Sequence, residues 1–115
     1  MYVRACAEQG VPFWGLTVQN EPESIQRFES CVYSPEEERD FIKLYLGPTV
    51  RAAHPEVKLL AWDHNRDHVN IWADVIYADE DASQYVWGLG MDARAPAAAD
   101  SSKAKWRARS CNGGC

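Results

Sequence analysis

A carboxylate and a carboxamide stand side by side directly after a short apolar segment. Asn20 and Glu21 follow residues 13–18, which read FWGLTV, and Pro22 closes the group. A short aromatic and β-branched run that ends at a proline favours a buried strand of a parallel sheet. In barrels of parallel strands, the reactive side chains stand at the carboxyl ends of the strands. Glu21 is therefore the first candidate for proton transfer.

A second apolar segment ends in residues that could complete a site. Residues 57–61 read VKLLA, and Trp62, Asp63 and Arg66 follow. In a parallel sheet this end lies on the same edge as Glu21. Asp63 could accept hydrogen bonds from a ligand or orient Arg66, or it could cap the loop or helix that follows. Arg66 could equally be a surface ion-pair partner.

The elements that must position these residues alternate along the chain. Residues 1–10 are predicted to form the last part of a helix, and further helices are predicted from residue 35 and over residues 69–78. Strands are predicted over residues 13–18, 58–63 and 85–91. Strands that alternate with helices indicate an α/β fold with parallel strands.

The helix after Glu21 carries the clearest local signals. Ser34 is a good N-cap, Pro35 suits the first helical position, and Glu37 completes a capping-box pattern. The acidic run 36–38 is interpreted as helix initiation on a solvated face, rather than as a cation site.

Helical spacing also predicts the inward face of this helix, formed by Phe41, Leu44 and Tyr45. Pro48 removes a backbone donor and clashes with the preceding turn, so Gly47-Pro48 should end or kink the helix.

Four ordered segments together are more specific than any one of them. They are residues 13–23 (FWGLTVQNEPE), 31–42 (CVYSPEEERDFI), 46–49 (LGPT) and 59–66 (LLAWDHNR). In this order and spacing they resemble glycoside hydrolase family 30, in particular its glucosylceramidase branch. The resemblance covers about residues 1–91. A complete (β/α)₈ TIM barrel needs about 250 residues, and the chain has 115. The resemblance therefore implies a barrel fragment that holds the fourth to sixth strands.

The resemblance implies a retaining β-glycosidase that hydrolyses a β-glucosyl linkage, with a β-glucoside or glycosphingolipid as substrate. Glu21 would be the general acid/base, and Asn20 would form a hydrogen bond with the 2-hydroxyl of the sugar. The alternative for Asn20 is that its side chain bonds only to the backbone of its own turn. Trp62 would pack against the pyranose, and Asp63 and Arg66 would form a wall of the sugar site. The alternatives are a polysaccharide hydrolase acting on xylan or β-1,6-glucan, and a non-catalytic remnant.

Retaining glycosidases need two carboxyl groups. The family's nucleophile stands on the seventh strand, which nothing after Met91 resembles, and no glutamate follows Glu80. We therefore expect a catalytic fragment in which the nucleophile is absent. Glu23 is a weaker alternative for the acid.

Residues 92–115 are rich in Ala, Ser, Lys, Arg and Gly and depart from the family pattern. This tail is expected to be disordered. The hypothesis for its origin is a frameshift, a premature end in the gene or a misassembled reading frame. Its Cys111 and Cys115, like Cys6 and Cys31, are interpreted as unpaired thiols rather than as disulfides or zinc ligands.

The formal net charge of −5 argues against a nucleic-acid partner. No apolar run approaches the roughly 18 residues of a membrane span, and the first residues show no signal-peptide pattern. We expect the parent enzyme to be secreted, and we expect no cofactor or metal. The open edges of such a barrel piece predict aggregation or pairing with complementary barrel segments.

Overall fold

The computed structural model describes residues 2–91, in which three short apolar segments form one parallel sheet. The strands are β1 (Gly15–Thr17), β2 (Lys58–His64) and β3 (Val86–Met91), hydrogen-bonded in the order β1-β2-β3. The helices are α1 (Tyr2–Glu8), α2 (Pro35–Phe41), α3 (Gly47–Ala53), α4 (Val69–Ala78) and α5 (Glu80–Ser83), and a π-helix (Ile42–Leu46) joins α2 to α3. The predicted α/β class and the parallel arrangement are confirmed.

The core lies between β2 and the helices that connect the strands. On β2, Leu59 and Ala61 are buried while Lys58 and Leu60 are only partly covered. This period of two places one face of the sheet against the helices. The buried apolar cluster contains Ile42, Leu59, Ala61, Trp62, Trp72, Ile76 and Val86.

The predicted start of α2 is confirmed in detail. The Ser34 hydroxyl accepts the Glu37 backbone N–H at 3.2 Å, and the Glu37 carboxylate accepts the Ser34 backbone N–H at 2.8 Å. Pro35 occupies the first turn. The capping box satisfies two backbone donors that a helix start otherwise leaves free.

The prediction of the inward helix face is wrong in its second half. Leu44 and Tyr45 are 58% and 64% exposed, whereas Ile42 is fully buried. The helix widens here, and the Gly47 N–H donates to the Ile42 carbonyl five residues earlier. The π turn changes which side chains face inward. It also lets the helix continue past Pro48, which has no N–H to donate.

Most other predicted boundaries agree with the structure to within one or two residues, and α4 spans Val69–Ala78 as predicted. The short α5 was not predicted. No helix within residues 2–91 combines the length and hydropathy that a transmembrane segment requires. The predicted low-complexity tail, residues 92–115, lies outside the described residues.

Candidate functional site

Left-handed backbone marks the carboxyl ends of β1 and β2. Glu21, Trp62 and Asp63 have φ angles of 48°, 72° and 61°, and within residues 2–91 they are the only non-glycine residues with positive φ. Such a conformation costs about 1–3 kcal/mol per residue and persists only where surrounding contacts hold it. All three residues belong to the segments that the sequence predicted to form the site.

A β-bulge produces two of these conformations. Trp62 pairs with Gly90 and His64 pairs with Met91, so Asp63 is the extra residue on β2. A Cβ on Gly90 would stand 3.2 Å from the Asp63 Cα. Glycine at position 90 therefore allows the bulge to press against β3.

Asp63 links the two strand ends. Its carbonyl oxygen accepts the Glu21 backbone N–H at 3.0 Å, and its Oδ2 accepts the Thr17 hydroxyl at 2.9 Å. Asp63 thus holds the backbone of Glu21 and the end of β1. Its carboxylate does not orient Arg66, because Asp63 and Arg66 form no ion pair within residues 2–91.

The Glu21 carboxylate is half-buried beside the carboxyl end of β2. Gln26 donates a hydrogen bond from Nε2 to Glu21 Oε2. The next residue, Pro22, is buried, and its carbonyl accepts the Tyr33 N–H at 2.9 Å. Glu21 is therefore restrained at both its backbone and its side chain.

Two histidines fasten the segment after Glu21 to the end of β2. His64 Nδ1 accepts the Asn65 N–H at 2.6 Å, which leaves Nε2 to donate to the Ser24 hydroxyl at 2.8 Å. His68 Nδ1 lies 2.8 Å from the Glu23 carboxylate, whose hydrogen bond and charge raise the pKa of His68. Glu23, the alternative acid, is thus engaged in an ion pair away from Glu21.

Glu38 corrects the sequence prediction that residues 36–38 share a solvated face. Its side chain is fully buried, and its two oxygens accept the Trp62 backbone N–H at 3.0 Å and the Trp72 Nε1–H at 2.7 Å. Burial raises the pKa of Glu38, and the two N–H donors offset part of that rise. The missed signal was spacing, because Glu38 stands one helical turn before the buried Ile42.

The remaining candidates divide into one buried and two exposed residues. Trp62 is fully buried against Trp72, with ring centroids 4.6 Å apart, and its Nε1 donates to the Asn65 carbonyl at 2.8 Å. The expectation that Trp62 packs against a sugar is corrected by this burial. Asn20 and Arg66 are exposed at the same sheet edge as Glu21.

No group of three histidine, cysteine or acidic side chains within residues 2–91 is arranged to hold a metal ion. Cys6 and Cys31 are free thiols. The site described above is therefore one of carboxylates, amides and imidazoles.

Comparison with known proteins identifies the framework that carries this site. The model of the Glycosyl hydrolase family 30 TIM-barrel domain matches residues 1–110. The match extends beyond Met91, and the domain boundary placed there stays a prediction.

Individual relatives agree with the family match. The chain is 38% identical to putative glucosylceramidase 1 of Caenorhabditis elegans, over 80% of this chain and 19% of that protein. It is 37% identical to the lysosomal acid glucosylceramidase of Mus musculus, over 85% of this chain and 21% of that protein. The solved endo-β1,6-glucanase BT3312 superposes with a TM-score of 0.70 at 35% identity, over 76% of this chain and 21% of that one.

The chain spans about a fifth of the length of the curated relatives that it matches. Its three parallel strands and their helices superpose on part of the solved endo-β1,6-glucanase. The ordered segments, the fold and the matches agree, and the chain belongs to glycosyl hydrolase family 30.

Proposed function

We propose that this chain is the acid/base-bearing part of a retaining β-glycosidase, with Glu21 as the general acid/base. The observation that carries the proposal is the restraint on Glu21 at the end of β1. Its backbone is held by Asp63 and its carboxylate by Gln26, in a left-handed conformation. A proton donor must be fixed relative to the departing oxygen.

Neighbouring residues would contribute to sugar recognition. Asn20, next to Glu21, would bond the 2-hydroxyl, an interaction that strengthens in the transition state. Arg66, exposed after β2, would contact the outer part of the sugar. Asp63 would act through the Glu21 backbone, and its Oδ1 would be available to a sugar hydroxyl. The role of Trp62 would be support from below rather than stacking, because its ring is buried.

The proposed substrate is a β-glucoside, and glucosylceramide is the favoured form of it. Glucosylceramidases are among the relatives that cover most of this chain. A β-1,6-linked glucan is the second candidate, because a solved endo-β1,6-glucanase has nearly the same fold over the matched part. Sphingolipid breakdown would follow from the first candidate only.

The test separates acid catalysis from other roles of Glu21. Residues 11–91 of this chain would replace the matching segment of the mouse glucosylceramidase, which supplies the rest of the barrel. Hydrolysis would then be compared for aryl β-glucosides with good and with poor leaving groups. For Glu21→Gln, we expect a loss on the order of 100-fold or more with the poor leaving group. With the good leaving group, which needs no proton to depart, the rate of the first chemical step should fall much less.

Glu23→Gln is the matched control, since it removes the same charge two residues away. It should preserve most of the activity. Equal losses of activity in the two variants would reject Glu21 as the acid. So would a loss in Glu21→Gln that is the same for good and poor leaving groups. Turnover by the 115-residue chain alone would show that a second carboxylate is supplied by this chain, contrary to the fragment interpretation.

A further inference from the structure

Glu38 joins three elements of the fold through one carboxylate. The residue lies on α2, and its oxygens accept N–H donors from Trp62 on β2 and Trp72 on α4. It forms no ion pair within the described part of the chain. A buried carboxylate without a cation is costly. An apolar side chain would fill the space more cheaply, so the two hydrogen bonds are the feature that needs an explanation.

One of these bonds falls at the bulge of β2. Trp62 is a bulky residue at φ 72°, a conformation that side chains of this kind rarely adopt. A bulge interrupts the ladder of backbone hydrogen bonds, and here Glu38 Oε1 receives the Trp62 N–H at 3.0 Å. The carboxylate thus supplies a backbone partner at the point where the strand departs from regular geometry.

The bulge in turn sets the position of Glu21. Asp63 follows Trp62 directly, and its carbonyl accepts the Glu21 N–H at 3.0 Å. A continuous path therefore runs from the Glu38 carboxylate through the peptides of Trp62 and Asp63 to the backbone of Glu21. Each step in it is a covalent bond or a hydrogen bond of ordinary length.

We propose that Glu38 is a positioning residue that fixes the bulge at Trp62 and Asp63 and, through it, the backbone of Glu21. This deepens the proposed function and rests on it for its catalytic meaning. Glu38 itself is fully buried with both oxygens engaged. It therefore acts on Glu21 only through the intervening peptides, and never on a substrate.

The experiment is amide hydrogen exchange by NMR on the complete 115-residue chain carrying Glu38→Gln. Glutamine has the same shape but turns one acceptor into an N–H₂ group that faces an N–H donor. We expect exchange at the Glu21 amide to become about tenfold faster or more. The His54 amide, which bonds to Val50 in α3, should change much less. The ¹³C shift of the Glu21 carboxyl should move as well.

Glu36→Gln is the matched control, because it removes the same charge from an exposed position in the first turn of α2. It should leave the Glu21 amide as in the parent chain. Equal acceleration at Glu21 and His54 in Glu38→Gln would indicate general loosening and would overturn the proposal. An unchanged Glu21 amide would overturn it too.

Trp72→Phe provides a second variant if Glu38→Gln does not fold. It keeps the charge of Glu38 and most of the ring packing but removes one of the two donors that hold the carboxylate. A smaller selective acceleration at Glu21 is expected, and its absence in a folded variant would reject the proposal. These measurements report geometry, whereas the leaving-group test reports acid catalysis, so the two proposals fail separately.

Discussion

Glu38 and Trp72, on two different helices, share a hydrogen bond of 2.7 Å that is fully buried. The same carboxylate reaches the backbone of Trp62. A single side chain therefore connects the helical layer to the distorted end of β2.

Replacing Trp72 by phenylalanine should lower the free energy of unfolding by about 1.5–3 kcal/mol, the usual contribution of a hydrogen bond to a charged group. The loss arises because one oxygen of Glu38 is left without a donor in the interior. Urea denaturation followed by circular dichroism measures it. Trp87→Phe is the comparison, since Trp87 is half exposed and contacts Lys58 at the surface. Equal losses in the two variants would contradict the argument.

The stability of the chain should depend on the titration of Glu38. The unfolded chain ionises this group near its ordinary pKa of 4.5, whereas burial raises the pKa in the folded chain. Between the two values the folded state binds more protons. Its stability therefore falls as pH rises through this window, by at most about 1.4 kcal/mol per pH unit.

The difference in unfolding free energy between the parent chain and Glu38→Gln isolates this effect from other groups. The unfolding free energy of the parent minus that of Glu38→Gln should therefore decrease as pH rises above 4.5. Glu36→Gln, which removes a charge from the same helical turn, serves as the reference. A difference for Glu38→Gln that stays constant with pH would show that its pKa is not raised.

Gly47→Ala should destabilise the fold by about 1–3 kcal/mol, as overpacking does. A Cβ at this position would collide with the Tyr85 ring and stand 2.7 Å from the Ile42 carbonyl oxygen. The helix propensity of alanine, about 1 kcal/mol better than that of glycine, reduces the loss. Gly88→Ala is the control, because nothing lies within 4 Å of the added carbon. Thermal or urea unfolding should show a loss only for position 47.

His68 should titrate above its ordinary pKa of 6.5, because the Glu23 carboxylate bonds to its ring. The contact therefore contributes stability below pH 6.5, and this contribution disappears as pH rises through the folded pKa. NMR titration of the ring protons measures the value directly.

In Glu23→Gln the pKa of His68 should fall toward 6.5. Glu29→Gln removes an equal charge from an exposed position in the same loop and should have little effect on His68. If both variants lowered the pKa by the same amount, the charge of the loop rather than the contact would be responsible.

Local patterns were enough to predict much of the fold. The apolar run before Glu21, the capping residues at Ser34 and the spacing of residues 69–78 each act over a few positions. Such signals depend on neighbours in the sequence, so the three strands, the helices α1, α2 and α4, and the parallel arrangement could be derived without coordinates. The ordered segments likewise placed the chain in its family, which the family match confirmed.

Only the tertiary structure decided how the site is held. Glu38 stands in an acidic run that predicts a solvated face, and its burial depends on donors 24 and 34 residues away. The inward face after Phe41 changed because a π turn rotates the helix. The left-handed Trp62 and Asp63 arise from a bulge between β2 and β3, and Asp63 in turn accepts the backbone N–H of the left-handed Glu21. These features come from contacts between distant segments, whereas the sequence by itself determined the residues that those contacts bring together.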